Sequence, residues 1–120
     1  VIRRLWRPLQ LVGVTDPTRP SKDKRRIGLI ESRIIRWIQD HKTPVICGHT
    51  HRAMFPRRDD VPYFNTGCCV FPRRITGMEI LNGQIQLIQW MIRPNADGVL
   101  CVVRDVVAGP RGLAGLRMTA

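Results

Sequence analysis

Two of the three histidines in this 120-residue chain stand one residue apart, in the stretch Val45-Ile46-Cys47-Gly48-His49-Thr50-His51. Neutral imidazole is the commonest protein ligand for zinc, manganese, iron and similar ions. His49 and His51 are therefore a candidate pair of metal ligands. Residues two apart in an extended chain face the same way, which would let both rings converge. Just beyond a glycine turn they would splay instead and reach two ions a few ångströms apart. Gly48 lets the backbone approach an ion closely, and Thr50 can orient an imidazole through its hydroxyl or its backbone. The plainer alternative is a pair of turn histidines bonded to the main chain.

Two imidazoles do not make a hydrolytic centre. Such a site usually takes three protein ligands and an open position, and a two-ion site also wants a bridging carboxylate. The acids are Asp16, Asp23, Glu31, Asp40, Asp59, Asp60, Glu79, Asp97 and Asp105. None lies in an Asp-x-His, Gly-Asp or Asn-His-Asp/Glu setting. No residue is assigned a catalytic role, and the expected site is a half-site.

The elements that must position this stretch follow from periodicity. Residues 1–20 are basic and punctuated by Pro8, Pro17 and Pro20, which disfavours a long helix and suggests a connecting segment. Over residues 21–41, Ile27, Ile30, Ile34, Trp37, Ile38 and His41 recur at three- and four-residue spacings, predicting an amphipathic helix that stops before Pro44. His41 suits the negative end of that helix and is not taken as a ligand. Residues 43–47 read as a short, fully buried strand, and residues 62–67 start a second that breaks at Gly67. Residues 68–72 are expected to be extended. Asn82-Gly83 is a strong hairpin signal between strands at 75–81 and 84–92. Asp97-Gly98 marks a turn before a strand at 99–103. The domain unit is set at residues 21–107, with 108–120 a loose tail because of its Gly and Pro content.

Charge is lopsided. The formal net charge is +11, with fourteen Lys or Arg against four acids in residues 1–58 and six against five in residues 59–120. A basic half-chain fits a polyanion such as nucleic acid, or acidic residues elsewhere in the same protein. Seventeen of the twenty basic residues are Arg, so a coding bias also contributes. Adjacent Cys68 and Cys69, with Cys47 and Cys101, make a poor disulfide framework; reduced thiols and a cytoplasmic location are expected. No apolar run is long enough for a membrane-spanning helix, and the start at Val1 shows neither a signal peptide nor the look of a native amino terminus.

Several of these residues together resemble one family. Gly48-His49-Thr50-His51, then Pro62-Tyr63-Phe64-Asn65-Thr66-Gly67, then residues 72–80 with Gly83, Ile85, Leu87 and Trp90, are similar to the carboxy-terminal half of a calcineurin-like metallophosphoesterase of bacterial type. The similarity is strongest over residues 45–90 and extends to about 3–110. It implies an α/β fold, part of an α/β/β/α sandwich with one helix, a buried strand and then an antiparallel β-meander. It also implies hydrolysis of phosphoric esters at a centre of two divalent ions (manganese, iron or zinc). On that match His49 and His51 each ligate one ion, while Gly48, Thr50, Asn65, Thr66 and Gly67 support the site. The family's amino-terminal motifs, Asp-x-His, Gly-Asp-x-x-Asp and Gly-Asn-His-Asp/Glu with an intervening His, are absent from this sequence. The resemblance thus implies a partner, the missing amino-terminal half, besides a phosphoester substrate. Cys68 stands where the family pattern has Ser.

Two further functions compete with this one. A structural zinc module could draw on Cys47, His49, His51, Cys68 and Cys69, and the basic first half could bind nucleic acid. The plainest reading is an inert remnant that exposes one face of its sheet.

Overall fold

The structure, a computed structural model, describes residues 24–71, 74–116 and 118. The connecting segment expected at 1–20 and the expected helix start at 21–23 lie outside the described residues. The fold is mixed α/β: one helix, a two-stranded parallel sheet and a three-stranded antiparallel sheet. Among the described residues no helix is long and apolar enough to cross a membrane.

Helix α1 runs Lys24–His41. It ends where Lys42 turns left-handed (φ 52°) and Pro44 forbids continuation. His41 stacks on Trp37 with ring centroids 4.3 Å apart, and its Nδ1 donates to the Trp37 carbonyl at 2.9 Å. That contact ties the His41 ring back over the last helical turn. Ile27 and Ile38 of the expected stripe are buried, but Ile30 and Trp37 remain 44% and 45% exposed.

Strands β1 (Val45–Cys47) and β2 (Tyr63–Asn65) pair in parallel, with Ile46 opposite Phe64. β2 is buried throughout. β1 is not: Ile46 is 46% exposed, which corrects the expectation of a fully buried strand. With β2 its only ladder partner among the described residues, nothing there covers the Ile46 face.

The antiparallel sheet has the order β3-β4-β5, from Arg74–Leu81, Gln84–Pro94 and Leu100–Gly112. Asn82 and Gly83 join β3 to β4 with φ of 50° and 73°, the double left-handed turn that matches strand twist. Along β4, Ile85 and Leu87 are buried between more exposed glutamines, as alternation predicts. Ile88 is buried as well, at the point where the β4–β5 register shifts, so both faces of β4 are covered there. Asn95 closes the next turn, its Oδ1 accepting from the amides of Asp97 and Val99.

Residues 108–116, expected within a loose tail, are ordered structure. β5 continues to Gly112, and a 3-10 turn over Leu113–Leu116 lays Leu116, 5% exposed, on the core. Pro110 is tolerated because β5 is an edge strand that can spare a donor. Gly109, at φ 93°, passes close to β4, where a Cβ would stand 3.0 Å from the Ile85 carbonyl. The core gathers Phe64, Ile85 and Leu116, with Phe55, Met78 and Leu113 packed around them. Residues 68–71, expected to be extended, enter no strand.

Candidate metal-binding site

The histidine stretch leaves the carboxyl end of β1 and turns at once. The Thr50 amide donates to the Gly48 carbonyl at 3.0 Å, closing a three-residue turn around His49. His49 (φ 74°) and His51 (φ 56°) both occupy the left-handed region, which non-glycine residues rarely adopt. The period-two argument for convergence needs extended backbone and so does not apply. The glycine-turn alternative describes the geometry instead. His49 is exposed and His51 half-buried. Two strained histidines one residue apart cost stability and persist only where the surroundings hold them, a pattern that concentrates at functional sites.

What holds them is Asn65, at the end of β2 and fully buried. Its Nδ2 donates to Thr50 Oγ1 at 2.9 Å and to the Tyr63 hydroxyl at 3.1 Å. Its Oδ1 accepts from the Gly67 amide at 3.0 Å. One amide thereby locks the residue between the two histidines to the turn that follows β2. Thr50 was expected to orient an imidazole through its hydroxyl or its backbone; its hydroxyl accepts from Asn65. The Thr66 amide donates to the Cys47 carbonyl at 2.9 Å, extending the parallel ladder one step. Thr66 Oγ1 would lie 3.2 Å from a Cβ on Gly48, a tight approach that any larger residue there would have to relieve by shifting the Thr66 side chain. Gly67, at φ 81°, leaves no room for a Cβ against Thr76 Oγ1 and Ala53. The five residues expected to support the site therefore form one connected unit around the turn.

Two contacts were missed in the sequence. Cys68 Sγ lies 3.5 Å from His51 Nδ1, and both line a cavity of about 230 Å³ whose other walls include Arg74, Thr76 and Gln89. His49 is not among the described residues lining it. Glu31 of α1 reaches Arg52, next to His51, at 3.6 Å, and its Oε1 is buried without a hydrogen-bond partner among the described residues. The only sequence signal for Glu31 was an acid amid an arginine-rich helix. Burial raises the Tyr63 hydroxyl above the usual tyrosine range, partly offset by its bond from Asn65, with the Glu31 charge adding to the rise.

Among the described residues no three His, Cys, Asp or Glu side chains converge as a metal-binding group. Of the Cys47, His49, His51, Cys68 and Cys69 set, His51 and Cys68 lie in contact with each other. The described residues do not by themselves fit a complete one- or two-ion centre, and no hydrolytic step is assigned to them. Comparison with protein families, with curated proteins and with solved structures finds no match.

Proposed function

We propose that this chain is the carboxy-terminal portion of a metal-dependent phosphoesterase, contributing His49 and His51 as ligands to a two-ion centre completed by an amino-terminal half. The observation that carries the reading is the strained His49-Thr50-His51 turn at the end of a parallel strand, locked by buried Asn65. Carboxyl ends of strands in α/β sheets are where ligands are held. When bound, the ions would activate a water for in-line attack on phosphorus; this chain's part is to hold two imidazoles in fixed directions.

The need for a second half has its own support. Parallel strands occur almost only in sheets covered on both faces, and a two-stranded sheet is marginal alone. The pair β1–β2 with Ile46 exposed is short of both conditions. In this reading the fold is a partial α/β/β/α sandwich and the missing strands extend the parallel sheet. The test is a phosphatase assay on an aryl phosphate with manganese or zinc. The chain alone shows no turnover; joined to an amino-terminal segment carrying the three acidic motifs, it gains turnover that His49→Ala or His51→Ala abolishes. Robust turnover by the chain alone contradicts the half-site.

A further inference from the structure

A second cavity, of about 660 Å³, opens between the loop after the histidine turn and the end of β5. Its volume falls within the range of small-molecule sites, about 300–1,000 Å³. Arg57, Arg58 and Arg111 line it, and no carboxylate does. Among the described residues, Arg52, Arg93 and Arg104 each meet a carboxylate, whereas Arg57, Arg58 and Arg111 pair with none. Phe55, Pro56 and Pro110 give the same cavity an apolar wall. We propose that it binds a small organic phosphate, with the phosphate on the three guanidinium groups and the carbon skeleton on the apolar wall.

This site is independent of His49 and His51, since no residue lining it lines the cavity beside His51. The basic wall is fixed by hydrogen bonds. Arg111 stands opposite Ile85 in the β4–β5 ladder, and its Nη1 and Nη2 donate to the Arg57 and Arg58 carbonyls, each at 3.1 Å. A guanidinium carries five N–H donors in one plane, so three remain for a ligand. The loop that Arg111 grips is also closed on itself: the Arg57 amide donates to Asp60 Oδ2 at 3.1 Å and the Asp60 amide to the Arg57 carbonyl at 3.2 Å. Asp59 and Asp60 are the acids of that loop; neither lines the cavity, and the three arginines outnumber them. A guanidinium fork offers a phosphate paired donors, a geometry that an ammonium does not reproduce. Groups held in place before binding have less freedom to lose. The apolar wall is fixed as well: Pro56 is buried, and Phe55 packs edge-on against Phe64 with ring centroids 5.2 Å apart. A bare inorganic anion would leave that wall in water, which favours a ligand with an organic part.

The experiment is a titration of the full chain with phenyl phosphate, followed by amide resonances, in about 0.15 M salt, where exposed charges are screened beyond about 8 Å. The amides of Gly112 and Gly115, which line the cavity, shift and saturate; inorganic phosphate binds more weakly, and phenol does not bind. Arg58→Gln removes an exposed side chain with no hydrogen-bond partner of its own, so the fold is kept. It lowers phenyl phosphate affinity about 10-fold, the worth of one charge-assisted hydrogen bond. Equal affinity in Arg58→Gln and the unsubstituted chain overturns the proposal, as do shifts confined to residues 48–51. Inorganic phosphate bound as tightly as phenyl phosphate overturns the organic ligand, and so does binding of a single-stranded oligonucleotide without binding of phenyl phosphate. Should the chain not fold alone, the same titration of the chain joined to the amino-terminal segment decides by the same outcomes, because every residue of this site belongs to this chain.

Discussion

Asn65 is the residue on which the geometry of the histidine turn depends. Buried without exposure, it uses both amide protons and its carbonyl oxygen on three partners. Asn65→Ala would leave the Gly67 amide and the Tyr63 hydroxyl without a partner in the interior. Each such orphan costs about 1–3 kcal/mol, so denaturant unfolding should show a loss of about 3 kcal/mol. Imidazole proton resonances of His49 and His51 should broaden or shift in the same variant, because Thr50 loses its anchor. Much of this unit was legible in the sequence: Gly48, Thr50, Asn65, Thr66 and Gly67 were singled out before any contact was visible. Their roles were not, since hydrogen-bond partners depend on three-dimensional placement: the Thr50 hydroxyl accepts from Asn65. The Cys68–His51 contact, seventeen residues apart in sequence, carried no local signal at all.

At the scale of elements, the β3–β4 hairpin was the clearest expectation and is the best-defined feature. Asn82-Gly83 supplies two left-handed residues, and Gly83→Val forces a β-branched side chain into that region. Such strain costs about 1–3 kcal/mol; a lowered midpoint of denaturant unfolding at unchanged slope is the expected outcome. One cross-strand polar link of the sheet is Glu79, which accepts from Arg104 at 2.5 Å and from Gln86 at 2.6 Å. These bonds, that from Arg104 foremost, hold its carboxyl below the usual range. A depressed carboxyl stabilises the fold above its unfolded value of about pH 4.3 and loses that effect as pH falls through its lower folded value. The stability difference between the native chain and Glu79→Gln, followed by urea unfolding, should therefore be constant near neutrality and shrink below about pH 4.3. Elements ending in Gly and Pro were the least legible: residues 108–116 have tail-like composition, yet an edge strand tolerates Pro110 and the core recruits Leu116.

The described residues leave much apolar surface open. Large apolar side chains lie open on every layer: Leu29 and Ile30 on α1, Ile46 on β1, Ile92, Val102 and Val107 on the antiparallel sheet. Leu29, Ile30, Ile46, Ile92 and Val102 lie on elements the sequence pattern foresaw, whereas Val107 lies beyond the strand expected at 99–103; the pattern could not say what would cover any of them, because the covering surface is set by tertiary packing. On the proposed reading, a half-sandwich that awaits further strands would account for the exposed parallel pair, and the same further half would complete a ligand set that here offers two imidazoles. The account stands or falls on whether those imidazoles bind metal. The direct measurement is calorimetric titration of zinc into the chain joined to an amino-terminal segment carrying the three acidic motifs, in unsubstituted, His49→Ala and His51→Ala forms, each shown to be folded by circular dichroism. Saturable binding weakened about 10-fold or more by either substitution is the predicted result; equal affinity in all three chains, or no binding to the unsubstituted one, contradicts it.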